Sequence, residues 1–157
     1  MKKIVLVLLV TLTVIGQANA KDYKRNSPFY MAVKMGIMDG GQGIKDDAIN
    51  AAFDIGYQNN RYLSTEVEYT TTFINGETSG GNDWDVDALS VFAAFRTNTK
   101  VKLKGKVGVS SISNESGLDF SAGLGISFWA AGGLTEIEYT KIGDNIKFFS
   151  VGVNFFF

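Results

Sequence analysis

The chain contains no cysteine and no histidine, and its single proline is Pro28. Without cysteine no disulfide can staple it, so stability has to come from packing or from a non-aqueous medium. Without histidine it lacks the usual general base and the commonest transition-metal ligand. One proline against 18 glycines suits long strands with close backbone approaches, not a helical bundle. The net charge is only −1, which argues against a nucleic-acid partner. Long apolar runs are scarce as well. Only Ile4–Ile15 stands out, and after it no run reaches the ~20 residues of a spanning helix.

That first run follows Met1-Lys2-Lys3 and leads to Ala18-Asn19-Ala20 before Lys21. A basic start, an apolar core of about 12 residues and a small-x-small site make a secretory signal peptide, expected to be cleaved after Ala20. A membrane anchor is the alternative, but the run is short of the ~20 residues that spanning needs. Losing 20 of the 157 residues leaves 137, and losing Lys2 and Lys3 takes the net charge to −3. That length is one domain. Residues 21–27 then form a short polar periplasmic lead, and residues 28–157 form the domain.

What the domain has is alternation. Ile146–Phe157 sets Phe149, Val151, Val153, Phe155 and Phe157 on one parity and Ser150, Gly152 and Asn154 on the other. A period of two reads as a β-strand with one greasy face and one small, polar face. The pattern recurs in Phe29–Met38, Ala48–Gln58, Arg61–Phe73, Lys100–Ser110, Leu118–Trp129 and Leu134–Ile142. Trp84–Arg96 is less clean. There Leu89, Val91, Ala93 and Phe95 oppose Ala88, Ser90, Ala94 and Arg96, but Phe92 breaks the pattern and Trp84 and Val86 favour the other parity. A bulge near Asp87 is expected to reconcile them.

Eight strands of roughly 9–12 residues match the ~9–11 that a tilted strand needs to cross a bilayer. Connections after the second, fourth and sixth strands are tight, with Asn59-Asn60 as a hairpin signal. Those after the first, third and fifth are longer and polar, and the one after the seventh is short. This asymmetry predicts an all-β fold, an eight-stranded antiparallel up-and-down transmembrane β-barrel, with both ends of the mature chain on the tight-turn, periplasmic side.

Alternation alone does not say which face is inside, because a soluble lipocalin-like ligand carrier would bury the greasy one. Two patterns favour the reverse. The polar face is crowded with Gly36, Ala52, Gly56, Ser64, Gly108, Gly123, Gly125, Ser150 and Gly152, as suits the narrow interior of an eight-stranded barrel. On the greasy face, Phe29, Tyr57, Phe95, Phe128, Phe155 and Phe157 fall at the tight-turn ends, and Phe73, Phe120, Tyr139 and Phe149 towards the loops. Two aromatic girdles around an aliphatic band are the membrane-interface arrangement.

With its signal, strand count, loop asymmetry and terminal Phe157, the chain resembles the small eight-stranded outer-membrane barrels of Gram-negative bacteria. This porin-like group includes the outer membrane protein A transmembrane domain and the outer membrane protein X group. The resemblance covers residues 28–157, without the periplasmic domain that follows the barrel in outer membrane protein A. It implies a place in the outer membrane, with its lipid and lipopolysaccharide as surroundings. It also implies delivery by periplasmic chaperones and the barrel assembly machinery, with Phe155 and Phe157 as the assembly signal. A monomer is expected. Enzymatic barrels of this kind lean on a histidine, so neither an enzymatic activity nor a cofactor is expected here.

The conspicuous chemistry is charge on the inward parity: Lys34, Asp54, Glu66, Glu68, Arg96, Lys102, Lys104, Lys106, Asp119, Glu136 and Glu138. The lysine-rich fifth strand lies between the acidic third and seventh, so long side chains can pair across a narrow lumen. Buried charges have to be paired and hydrogen-bonded, or their desolvation is severe. The expectation is therefore an ion-paired plug in a structural or surface-interaction protein, with Phe156 capping the periplasmic mouth. A narrow ion-conducting pore gated by the same residues is the alternative. Carboxylates at i, i+2 also raise acid–base hydrolysis, but a tight barrel leaves no room for substrate. The loop acids Asp39, Asp46, Asp47, Glu77, Asp83, Asp85 and Asp87 match no calcium loop and read as a solvated surface. Gly40-Gly41-x-Gly43 is followed by no helix and is not a phosphate loop.

Overall fold

The computed structural model describes residues 28–113, 115–130 and 133–157; the expected signal peptide and lead, 1–27, lie outside them. Eight long strands follow one another: β1 (Phe29–Asp39), β2 (Ala48–Gln58), β3 (Leu63–Ile74), β4 (Ala88–Arg96), β5 (Val101–Ile112), β6 (Asp119–Ala130), β7 (Gly133–Ile142) and β8 (Ile146–Phe156). Each pairs antiparallel with its neighbours in sequence, and β8 returns to β1 in a ladder from Tyr30↔Phe156 to Asp39↔Lys147. The sheet thus closes into an up-and-down barrel and leaves no open edge along its wall.

The period-two pattern sorts the side chains. Phe53, Val67, Leu103, Leu124 and Phe149 point outward and are exposed, whereas Lys34, Glu66, Glu68, Ser90, Ser110 and Glu138 are buried inside. The arrangement is apolar-out for most of the barrel's height, the opposite of a soluble carrier with a greasy interior. At the tight-turn end Asn60 closes β2 to β3, its side-chain oxygen accepting the amides of Tyr62 at 2.9 Å and Leu63 at 3.0 Å. At the other end Gly143, with φ of 59°, turns β7 into β8, a left-handed conformation that glycine adopts without steric penalty.

The fourth strand departs from its expected form. It begins at Ala88 rather than Trp84, and within it Phe92 does not break the alternation, because it is an inward residue buried with Ala88, Ser90 and Ala94. No bulge lies near Asp87 in the barrel ladder. Among the described residues the one register shift in the wall is between β2 and β3, where Ile49 pairs with Ile74 and Asn50 with Thr72, leaving Phe73 and its neighbour Ile74 both exposed. Trp84 belongs elsewhere. Asp83–Trp84, Gly76–Thr78 and Ile44–Asp46 form a small three-stranded sheet from the first and second long loops, above the barrel mouth. Val153 is a second departure: it is on the outward parity yet buried, with Gly133 so close that a Cβ there would stand 2.5 Å from Val153 Cγ1.

Candidate functional site: the charged lumen

Charge inside the barrel is distributed by strand. Lys34 rises from β1 and Lys104 and Lys106 from β5, on opposite walls; Glu66 and Glu68 come from β3 and Glu136 and Glu138 from β7, on the other two. Positive and negative walls therefore alternate every second strand. The strands between them contribute mostly small inward residues, among them Ala52, Gly56, Ala94, Gly123 and Ser150. These make room for the long neighbours. Gly123 is one case: a Cβ there would sit 2.9 Å from Lys106 Cε.

At the centre, Lys34 Nζ is 2.6 Å from Glu68, 2.8 Å from Asp54 and 2.9 Å from Glu138. Lys104 Nζ binds Glu138 at 2.6 Å and both Glu66 and Glu136 at 2.9 Å. Lys106 Nζ bridges Glu138 at 2.7 Å and Glu68 at 2.9 Å, and sits 4.0 Å above the centre of the Phe92 ring. Towards the tight-turn mouth, Arg96 reaches Glu66 at 2.7 Å and Glu136 at 3.5 Å. It also donates to the Tyr30 hydroxyl at 2.8 Å and the Ser64 hydroxyl at 2.9 Å, and the Tyr30 hydroxyl donates to Glu66. Four cations face five carboxylates in this network. Asp54 is where the excess falls, since its one cation is Lys34, which is shared with three other carboxylates.

Other chemistry flanks this charged layer at both ends. Below it, the ring of Phe156 lies 5.5 Å from Tyr30 and 6.2 Å from Trp129. Above it, Ser90, Ser110 and Ser121 form a hydroxyl chain with contacts of 2.6 and 2.7 Å, and Ser121 accepts the Gly143 amide. Above that, Met38, Val86, Ala88, Ile112, Ile142, Ile146 and Phe148 fill the loop-side interior as one apolar cluster, with Trp84 packed against it. An apolar layer inside the polar parity was not expected from the sequence.

Lys102 and Asp119 share the inward parity but are half-buried near the two ends of the barrel, Lys102 on the tight-turn side and Asp119 at the loop-side start of β6. Tyr30, Ser64 and Phe92 are participants that charge alone does not flag; their signal is inward parity. Among the loop acids, Glu77 is held by Lys45 at 2.9 Å and Asp39 by Lys147 at 3.0 Å. The Glu77 hydrogen bond raises the Lys45 ammonium above its ordinary pKa. Among the described residues no group of three or more acids is placed to hold a metal ion. Phe155 and Phe157 are exposed at the tight-turn end, facing outward.

No protein-family model matches the chain, and no curated protein sequence does. Solved structures do match. Neisserial surface protein A superposes with a TM-score of 0.61 at 17% identity, covering 83% of this chain and 98% of that one. The fold is that of the small eight-stranded outer-membrane barrels. The outer membrane protein OprG from Pseudomonas aeruginosa gives a TM-score of 0.51 at 10% identity, over 83% and 97% of the two chains. A de novo designed transmembrane β-barrel gives 0.56 at 14%, over 83% and 96%. A designed chain thus reproduces the wall of an eight-stranded barrel as well as natural ones do.

Proposed function

We propose that the protein is an integral outer-membrane barrel with a structural or surface-interaction role and a lumen that an ion-paired plug keeps closed. The observation that carries this reading is Lys34, whose ammonium bridges Glu68 of β3 and Glu138 of β7 across the lumen at 2.6 and 2.9 Å. An ion passing through would have to part those pairs and then cross the apolar layer of Met38, Ile142 and Phe148. Under this reading residues 1–20 are cleaved and both mature termini are periplasmic. Phe155 and Phe157 are read by the barrel assembly machinery after chaperone delivery, and the monomer sits among outer-membrane lipid and lipopolysaccharide. The outward apolar belt and its aromatic rings support bilayer insertion.

Planar-bilayer recordings test the plug. The purified barrel is expected to give no stable conductance steps, and Lys104→Gln or Glu66→Gln is expected not to create them. Stable steps whose size shifts in those variants would establish a narrow pore instead.

A further inference from the structure

The outward stripe of β5 runs Val101, Leu103, Gly105, Val107, Val109, and only Gly105 leaves the surface bare. Nothing local calls for a glycine there. A Cβ at Gly105 would meet Leu124 Cδ2 at 3.8 Å, an ordinary contact, and the residue lies in regular strand. Glycine inside a strand weakens it and marks places where something approaches closely. Across the ladder Gly105 lies between Phe95 and Leu124, and one step towards the loops Val107 lies between the small residues Ala93 and Ala122. The result is a depression of about 600 Å³ on the lipid face, lined by Ala93, Gly105, Val107 and Ala122 between Phe95 and Leu124.

Lys141 and Tyr139 stand at the loop-side end of this furrow. Lys141 is exposed, on the outward parity, and directly opposite Lys147 in the β7–β8 ladder. Like charges in cross-strand positions repel. Asp39 neutralises Lys147 at 3.0 Å, whereas no carboxylate pairs with Lys141 among the described residues. An ammonium on the lipid face, level with an aromatic girdle, has to extend to the head-group layer. The wall therefore presents an unneutralised cation at the edge of this apolar depression.

We propose that this furrow is a binding site for a phosphate-bearing glycolipid of the loop-side leaflet, one acyl chain lying over Gly105 and a head-group phosphate on Lys141. The site rests on the reading that the loops face the outer leaflet, where lipid A supplies that chemistry. A second copy of the barrel fits less well, because a convex wall cannot enter a furrow and adds no anion opposite Lys141.

Native mass spectrometry of the full chain, released from phosphatidylcholine nanodiscs containing lipid A, dephosphorylated lipid A or phosphatidylglycerol, tests the site. One retained lipid A per barrel is expected. Lys141→Gln should reduce retention about tenfold, the scale of a lost charge-assisted hydrogen bond, and Lys141→Arg should restore it. Gly105→Leu, at a position where an added Cβ makes only an ordinary contact, should also reduce it while heat-modifiable gel mobility stays unchanged. Equal retention by Lys141→Gln or Gly105→Leu, equal retention of phosphatidylglycerol, or a dimer peak lost in Gly105→Leu would each overturn the proposal. Protease protection of the loops on intact cells separately tests the outer-leaflet orientation, and its failure would leave the in vitro retention result standing on its own.

Discussion

The Tyr30 ring lies flat across Gly56, its partner in the β1–β2 ladder, and its hydroxyl donates to Glu66 on β3. Any side chain at position 56 would occupy the space of the ring. Gly56→Ala should therefore destabilise the barrel by about 1–3 kcal/mol, the usual range for overpacking. Tyr30→Phe keeps the ring but strips a hydrogen-bond donor from Glu66 and an acceptor from Arg96, for a loss of about 1–3 kcal/mol. Combining Gly56→Ala with Tyr30→Ala should cost less than the sum of the single changes, because the clash disappears with the ring. Urea unfolding of barrels refolded into lipid vesicles measures all of these.

Charge counting separates two carboxylates that parity treats alike. Glu138 is contacted by Lys34, Lys104 and Lys106, so Glu138→Gln takes one partner from each of three ammonium groups, which keep their other carboxylates, and should cost about 1–3 kcal/mol. Asp54 touches Lys34 alone, in a network with one carboxylate too many. Asp54→Asn removes that excess and should change the unfolding free energy by less than about 1 kcal/mol, or raise it. The same unfolding assay ranks them, and a larger loss in Asp54→Asn than in Glu138→Gln would contradict the pairing pattern.

Trp84 ties the loop sheet to the barrel. It packs against the apolar cluster around Met38 and Phe148 from a two-residue strand that pairs with Gly76–Thr78. Trp84→Ala should speed limited proteolysis within residues 75–87 while leaving heat-modifiable gel mobility unchanged. Lys45→Ala breaks only exposed pairs, with Glu77 and Asp46, and exposed pairs contribute little, so its cleavage rate should stay close to that of the parent.

The wall was legible in the sequence because a buried–exposed period of two survives at almost every position, and each turn type carries its own residues. What escaped follows from where that logic changes. Phe148, Met38, Ile112 and Ile142 are apolar yet inward; the loop-side interior is shielded from both lipid and water, so greasy side chains serve there as well as charges do elsewhere. Trp84 and Val86 confused the fourth strand because Trp84 belongs to a strand of two residues, too short to show a period, and Val86 to the irregular connection that follows it. The meeting of Tyr30 with Gly56, and of Lys34 with Glu68 and Glu138, depends on register across strands, which residues within a single strand do not encode.

The seam between β1 and β8 joins residues 108 positions apart at Asp39 and Lys147. Its ladder needs the final strand, so the ring cannot seal while the end of the chain is still missing. Until then the first strand has one unpaired edge and Lys34 of β1 is not brought beside Glu138 of β7. Contacts of such long sequence separation form slowly and leave partly made sheets prone to aggregate. Sealing the seam and neutralising the lumen are thus one late, cooperative event, and an interrupted chain would be both open-edged and internally charged.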